Sequence, residues 1–489
     1  MIRIEADVNE GLPVFDMVGF LASAVKEARE RVRISLKNTG VPMPPKRITV
    51  NLSPANLRKE GTSFDLPIAV ALLAAFGRVP ADRASEYLVL GELGLDGRVC
   101  GIQGVLAMIL EGRRQGMARF IVPAENVGEA ALVKGVQVYC VESLQQVRLF
   151  LRGEKEIQPV KYREEVWEKQ GEIKDFLDVC GQEEAKRAVQ VAVSGRHNLL
   201  MIGPPGSGKT MLASRIPGIM PDLTWEEKLE ITRLYSICGL LSKEEPVVAG
   251  PPFRAPHHTL TPMALTGGGR VPVPGEVSLS SKGVLFLDEF PEFSRTALEV
   301  LRQPLEDGYV TISRVQASLT FPANFIMCTA QNPCPCGYLG DKKRECSCKQ
   351  FEIERYHRKL SGPLLDRIDL QVYVPRLEYA DLQSREAGES SAVIRERVIK
   401  ARQLQLLRLQ GTNLYCNAQM GRRELNKHCQ MEAAAEKLLA KFFTALGLSA
   451  RSHDRIIKVA RTIADLDGSD IITAAHLAEA VQLRTSLNS

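Results

Sequence analysis

The run Gly203-Pro204-Pro205-Gly206-Ser207-Gly208-Lys209-Thr210 constrains this chain more than any other feature. It fits the pattern of a glycine, four free positions, then Gly-Lys-Ser/Thr. Asn198-Leu199-Leu200-Met201-Ile202 before it reads as a buried strand, and Met211-Leu212-Ala213 after it opens a helix. In such a loop the glycines let backbone N–H groups turn inward around phosphate oxygens, and the helix N-terminus adds partial positive charge. Lys209 would reach the β and γ phosphates, Thr210 would hold Mg²⁺, and Met211 would follow at the start of the helix. The alternative, a Gly-rich turn without a ligand, does not explain the flanking strand and helix.

A second motif, Val284-Leu285-Phe286-Leu287-Asp288-Glu289, puts two carboxylates at the end of an apolar run. Four apolar residues in a row suit a strand buried on both faces, and carboxylates at its end are costly without a task. In a P-loop ATPase the aspartate supports Mg²⁺ and the glutamate polarises the attacking water. A third strand is expected over Asn324–Thr329, followed by Ala330-Gln331-Asn332, where the Asn332 amide would orient that water. Further on lies Ser361-Gly362-Pro363-Leu364-Leu365-Asp366-Arg367-Ile368-Asp369.

This order of motifs resembles an AAA+ ATPase, and more narrowly the magnesium-chelatase-like AAA+ proteins of the YifB/ComM family. The matching residues include the P-loop, Phe253-Arg254-Ala255-Pro256-His257-His258-Thr259, Gly275-Glu276-Val277-Ser278-Leu279, Asn332-Pro333-Cys334-Pro335-Cys336-Gly337 and the Ser361–Asp369 run. The resemblance covers nearly the whole chain. It implies an α/β protein of three parts: a Lon-protease-like α+β domain (1–151), an AAA+ core (176–375) after a polar linker (152–175), and a C-terminal helical lid (376–489). It implies ATP and Mg²⁺ as cofactors and a ring-shaped oligomer, a hexamer, as the working form. Arg367 would be the arginine finger that reaches a neighbouring subunit's γ phosphate; the alternative is a surface ion pair with Asp366 or Asp369. Arg451 would be the lid arginine, with Arg455 and Arg461 forming the solvated face of the same helix. The adjacent His257 and His258, on an extended segment, should point to opposite sides, so a joint site is not expected.

Composition fits this reading and excludes others. The chain has 489 residues, too many for one core, with 45% hydrophobic and 25% charged residues. Lys and Arg number 63 against 58 acids, a net charge of +5, which alone does not argue for nucleic acid. The longest apolar stretch, Leu66–Phe76, is far below the roughly 18 residues of a membrane span, and the N-terminus has no secretory pattern. Eleven cysteines do not form a small disulfide scaffold and point to a reducing compartment, the cytoplasm. Strands are expected at Ile48–Leu52 and Tyr87–Leu90, and helices at Ser23–Leu36, Leu66–Phe76, Ala433–Leu446 and Ile456–Leu466.

Within the Lon-like part, Lys59-Glu60-Gly61-Thr62-Ser63 and Gly91–Val99 resemble the Lon catalytic domain, whose serine is activated by a lysine. Ser63 sits near the nucleophile's place, but Leu106 occupies the position of the lysine, so no protease activity is expected. Met1–Ile4 should fall inside an early strand. A segment that relatives carry upstream is absent, which would weaken the first sheet or reflect the chosen start.

Cys334, Cys336, Cys346 and Cys348 form two Cys-x-Cys pairs joined by a short Lys-rich loop. Four thiolates brought together this way suit a tetrahedral Zn²⁺, which would pin the insertion after Asn332 and couple it to the nucleotide; the alternative is four free thiols. Two segments are expected to grip a polymer: a mobile loop, Leu265–Arg270, and a hairpin, Tyr309–Ala317, with Arg270 and Arg314 touching DNA phosphates. The expected polymer is DNA, through branch migration or a related remodelling. The competing substrate is a protein, as for the magnesium chelatase ATPase subunit.

Overall fold

The structure is a computed structural model that describes residues 1–163, 174–314, 317–341, 343–377, 388–447 and 449–485. Residues 164–173 of the expected linker, the hairpin tip at 315–316 and residues 378–387 near the start of the expected lid fall outside these residues. The chain forms two compact units. One comprises Met1–Trp167 with Lys228–Val248; the other comprises Glu168–Glu227 with Ala249–Ser489.

In the first unit, Arg3–Asn9 alternates half-buried and exposed residues, as a strand packed on one face should. It pairs antiparallel with Arg47–Ser53, and Val14–Val18 pairs parallel on that strand's other side. A second, parallel sheet is formed by Leu88–Val89, Arg119–Pro123 and Gln137–Val141. The helix Asp65–Ala75 is apolar almost all round, so it is buried: Leu66, Ile68 and Leu72 join Val25 and Val32 in the core. Asp65, at its start, is fully buried. Burial pushes its carboxyl upward, against the Arg31 guanidinium, which donates two hydrogen bonds of 2.6 and 2.9 Å. Ser63 is half-buried and Leu106 is buried in this unit. The buried Lys59 Nζ donates to the Pro54 carbonyl. Residues 228–248 are built into the same unit: Gly104 N–H donates to the Ser236 carbonyl (3.0 Å), and the Ser236 hydroxyl donates to Glu129.

The second unit is built on a five-stranded parallel sheet. Across it the order is Phe253–Arg254, Val284–Leu287, Ile326–Gln331, Leu199–Ile202, Leu370–Tyr373. The third strand begins two residues later than expected and runs on through Gln331. Asn324 lies outside it, held by the Arg196 guanidinium at both its carbonyl and its side chain. The inner strands are buried throughout, which is why they read as unbroken apolar runs. The P-loop strand (Leu199–Ile202) and the Asp-Glu strand (Val284–Leu287) flank the strand that ends beside Asn332, so all three motifs emerge at one sheet edge. Ligands of parallel α/β sheets bind at this C-terminal edge.

The helices Glu183–Gly195, Ser391–Arg408, Ala450–Leu466 and Ala474–Thr485 share one apolar core with the sheet, including Val189, Phe286, Val398, Ile456 and Leu477. Polar pins reinforce it. His197 Nε2 meets Thr462 Oγ1 at 2.8 Å, and Asp369 accepts from Asn198 N–H at 2.9 Å and from Arg455. Burial opposes the Asp369 charge, but Arg455 and His197 outweigh it and hold this carboxyl well below the usual range. Arg455 and Arg461 are therefore not a solvated face: Arg461 is buried and paired with Asp465. Among the described residues, no helix is long and apolar enough to cross a membrane.

Candidate nucleotide-binding site

A cleft of about 640 Å³ opens where the three strands end. Pro205, Gly206, Ser207, Gly208, Lys209, Thr210 and Met211 form its floor, and Asp288, Glu289 and Asn332 stand opposite. Gly206 and Gly208 have φ of +77° and +92°, the left-handed region that lets consecutive N–H groups face inward. Lys209 begins a helix that runs to Ile219. Gly203 is needed for a different reason: a Cβ there would lie 2.1 Å from the Val374 carbonyl oxygen on the neighbouring strand end.

Lys209 is nearly buried, and its Nζ donates to the carbonyls of Gly203 (2.7 Å) and Pro204 (2.9 Å). Burial lowers its pKa, and the Asp288 charge partly offsets this. The Thr210 hydroxyl donates to Asp288 Oδ2 at 2.8 Å, and Glu289 N–H donates to Asp288 Oδ1 at 2.9 Å. A hydroxyl and a carboxylate converging beside a ring of N–H donors form an all-oxygen set that suits Mg²⁺ between protein and phosphates. Glu289 has φ +51°, a conformation that non-glycine residues seldom adopt and that clusters at functional sites. It turns the carboxylate out of the strand and into the cleft mouth.

The paired histidines depart from expectation. Their rings lie 4.1 Å apart instead of on opposite sides, and both line the cleft. The segment turns after Pro256: Leu260 N–H donates to the His257 carbonyl (3.0 Å), and His257 Nδ1 meets Thr259 Oγ1 at 3.0 Å. His258 Nδ1 then stands 3.1 Å from Glu289 Oε2. Sequence reasoning missed this contact; the available signal was Pro256, a residue common in turns. The neighbouring motifs also interlock, since Arg254 donates to both Glu276 oxygens at 2.6 and 2.7 Å.

Other expected site residues lie elsewhere. Arg367 does not line the cleft of its own chain. It pairs with Glu306, not with Asp366 or Asp369, and donates to the Pro363 carbonyl at 2.7 Å. Arg451 is exposed at the start of the helix Ala450–Leu466 and is also outside the cleft lining. The segment Leu265–Arg270 is not a free loop. Gly267 and Gly268 pair with Pro274 and Val273 in a tight hairpin that exposes Arg270. Tyr309–Arg314 and Ala317–Pro322 form a second hairpin. The two hairpins touch, since a Cβ on Gly267 would meet Ile312 Cδ1 at 3.0 Å. The Arg314 side chain lies outside the described residues.

The four cysteines Cys334, Cys336, Cys346 and Cys348 are gathered directly after Asn332, with all Sγ atoms within 4.8 Å of one another, where one metal ion could be held. Burial opposes ionisation of Cys336, but the backbone N–H groups of Tyr338 and Ser347 outweigh it and bring this thiol down to about 5.

Comparison with known proteins agrees with this geometry. The family model described as magnesium chelatase, subunit ChlI, matches residues 175–382. Models of subunit ChlI of Mg-chelatase and of the ChlI C-terminal region match residues 4–126 and 388–484. The protein YifB of Escherichia coli is 42% identical over 485 residues, covering 99% of this chain and 94% of that protein. The competence protein ComM of Haemophilus influenzae is also 42% identical, with the same two shares. Lon protease 1 of Sorangium cellulosum is 26% identical over 158 residues, which cover 30% of this chain and 19% of that protease.

Proposed function

We propose that this chain, which belongs to the magnesium-chelatase-like family that includes YifB and ComM, is a Mg²⁺-dependent AAA+ ATPase that remodels DNA as a hexameric ring in the cytoplasm. The observation that carries the ATPase reading is the meeting of Thr210 and Asp288 at 2.8 Å over the P-loop, with Glu289 beside them. Backbone N–H groups of residues 206–210 and the helix N-terminus bind the β phosphate. Lys209 exchanges the carbonyls of Gly203 and Pro204 for phosphate oxygens. Thr210 and Asp288 would hold Mg²⁺, which would supply electrostatic stabilisation of the phosphate charge. Glu289 takes a proton from the water that Asn332 orients. The water oxygen bonds to the γ phosphorus as the bond to the β-bridging oxygen breaks, giving ADP and phosphate. His258 braces the Glu289 carboxylate from the other side. Arg367, from a neighbouring subunit, and Arg451, from the lid, stabilise the charge of the transferring group.

Two features support DNA as the polymer: the paired hairpins that carry Arg270 and Arg314, and the kinship with a competence protein. The test is ATP turnover with and without single-stranded, duplex and branched DNA, with DNA raising the rate. Arg270→Ala with Arg314→Ala should weaken binding evenly across sequences and flatten its salt dependence by roughly 0.7–0.9 log units per lost contact. Basal turnover should persist. A chain that binds no DNA at low salt, with ATP and Mg²⁺ present, refutes this reading. The protein-remodelling role of a chelatase-type motor would then take its place.

A further inference from the structure

The ATPase chemistry makes no use of the segment between Asn332 and the helix Gln350–His357, yet this segment is built with care. Cys334 Sγ lies 3.4 Å from Cys336 Sγ and 3.6 Å from Cys346 Sγ, and the latter two are 3.6 Å apart. A tetrahedral ion with bonds of about 2.3 Å to sulfur places its ligands about 3.8 Å from one another. Four sulfurs this close surround one ion; they leave no room for a multi-iron cluster, whose thiolates bind separate irons. The Cys336 N–H donates to Cys348 Sγ at 3.3 Å, the kind of outer donor that fixes ligating thiolates. Four thiolates around a divalent ion carry net negative charge, and Lys343 and Arg344 belong to the loop that joins the two cysteine pairs. Arg344 lies 4.1 Å over the Tyr338 ring and donates to its hydroxyl at 3.0 Å.

The segment also touches the nucleotide cleft twice. Gly337, next to Cys336, has φ +85°, and a Cβ there would lie 2.6 Å from Pro205 Cδ. Pro205 is part of the cleft floor. On the far side, Tyr356 of the helix Gln350–His357 accepts a hydrogen bond from the Asn332 backbone.

We propose that Cys334, Cys336, Cys346 and Cys348 hold a structural Zn²⁺, and that this knuckle braces the P-loop through Gly337 against Pro205, coupling zinc occupancy to nucleotide affinity. Zinc has no redox chemistry and takes closed tetrahedral sulfur sites as structural elements. The coupling is reciprocal by linkage: nucleotide slows zinc loss by the same factor that zinc tightens nucleotide. The zinc assignment stands apart from the ATPase reading; the coupling rests on it.

The experiment uses the purified full-length chain under reducing conditions. Elemental analysis should find one zinc per chain. Removing it with a chelator should weaken binding of the fluorescent analogue mant-ATP by about tenfold, within the usual range of coupling between sites, and returning zinc should restore it. Cys336→Ser with Cys348→Ser should lose zinc and show the same weakening. If that variant fails to fold, Gly337→Ala decides: it should keep zinc and still bind mant-ATP about tenfold more weakly. Lys209→Ala should keep zinc and lose mant-ATP; a wild-type chain that carries zinc but binds no nucleotide defeats the ATPase reading alone. No metal, iron in place of zinc, or cysteines paired as disulfides overturns the assignment. Zinc removal and Gly337→Ala that both leave mant-ATP affinity unchanged overturn the coupling.

Discussion

Gly203→Ala tests whether strand packing, not loop flexibility, dictates the first glycine of the P-loop. The methyl group would sit 2.1 Å from the Val374 carbonyl oxygen, whereas real Cβ contacts stay beyond 3.0 Å, so the two strand ends must part by at least 0.9 Å. Overpacking of this kind costs about 1–3 kcal/mol. The same displacement pulls on the 2.7 Å hydrogen bond from Val374 N–H to the Ile202 carbonyl, worth about 0.5–1.5 kcal/mol. Together these predict a loss of about 1.5–4.5 kcal/mol in the sheet. The Lys209 anchor on the Gly203 carbonyl moves as well, and a shift near 1 Å at a reacting group costs about a hundredfold in turnover. Gly206→Ala is the matched control. Nothing lies within 4 Å of its Cβ position, and only its φ of +77° is unfavourable, at about 1–2 kcal/mol. Urea unfolding of the nucleotide-free protein, read at the sheet by amide hydrogen exchange, compares the two. The reasoning fails if Gly203→Ala unfolds like the wild type, or if Gly206→Ala is the more damaging change.

Glu289→Gln should keep mant-ATP binding and lower turnover by about 10²–10⁴-fold, since the base is lost and the cradle remains; equal losses of binding and turnover would count against its role. Arg367→Ala should assemble and bind ATP but turn over some 10³-fold more slowly or worse. Mixing it with Lys209→Ala protein should restore part of the rate, and no recovery in proven mixed rings would show that Arg367 does not serve a neighbour's site. Asp369, held below the usual carboxylate range, should make acid costly to the fold. A depressed folded pKa contributes stability that is complete above the unfolded value of about 4 and is lost as pH falls below it. Arg455→Ala should therefore move acid unfolding to higher pH, and an unchanged acid midpoint would refute that account.

The strands that carry the site were legible because burial on both faces leaves no choice of residue: Leu199–Ile202 and Val284–Leu287 can only be apolar, and their ends can only turn. The carboxylates Asp288 and Glu289 stood out because a strand end rarely bears two. Contacts between distant segments were not legible. The Arg254–Glu276 pair joins two motifs through tertiary packing, and nothing in either motif names the other. The contact of His258 with Glu289 depends on a turn after Pro256, which periodicity does not encode. Arg461 looked like a solvated residue because its type usually is; only Asp465, one helical turn on, and the carbonyls of Ser469 and Asp470 make its burial tolerable. Residues 228–237 of the helix Trp225–Ile237 fall within the expected AAA+ span (176–375) yet group with the first unit, which no local sequence signal encodes.

That helix bears on how such a protein can be cut or recombined. The chain passes between its two units three times, near residues 167, 227 and 248. Deleting the first 167 residues does not release a free motor. It leaves Ser236 without Glu129 and Gly104, and Gly239 and Pro246 without their close neighbours Gln103 and Gly128. A graft of either unit onto a foreign partner carries the same penalty unless the 228–248 excursion travels with the N-terminal unit. A crossover placed near residue 167 alone therefore separates the 228–248 excursion from the rest of its own unit.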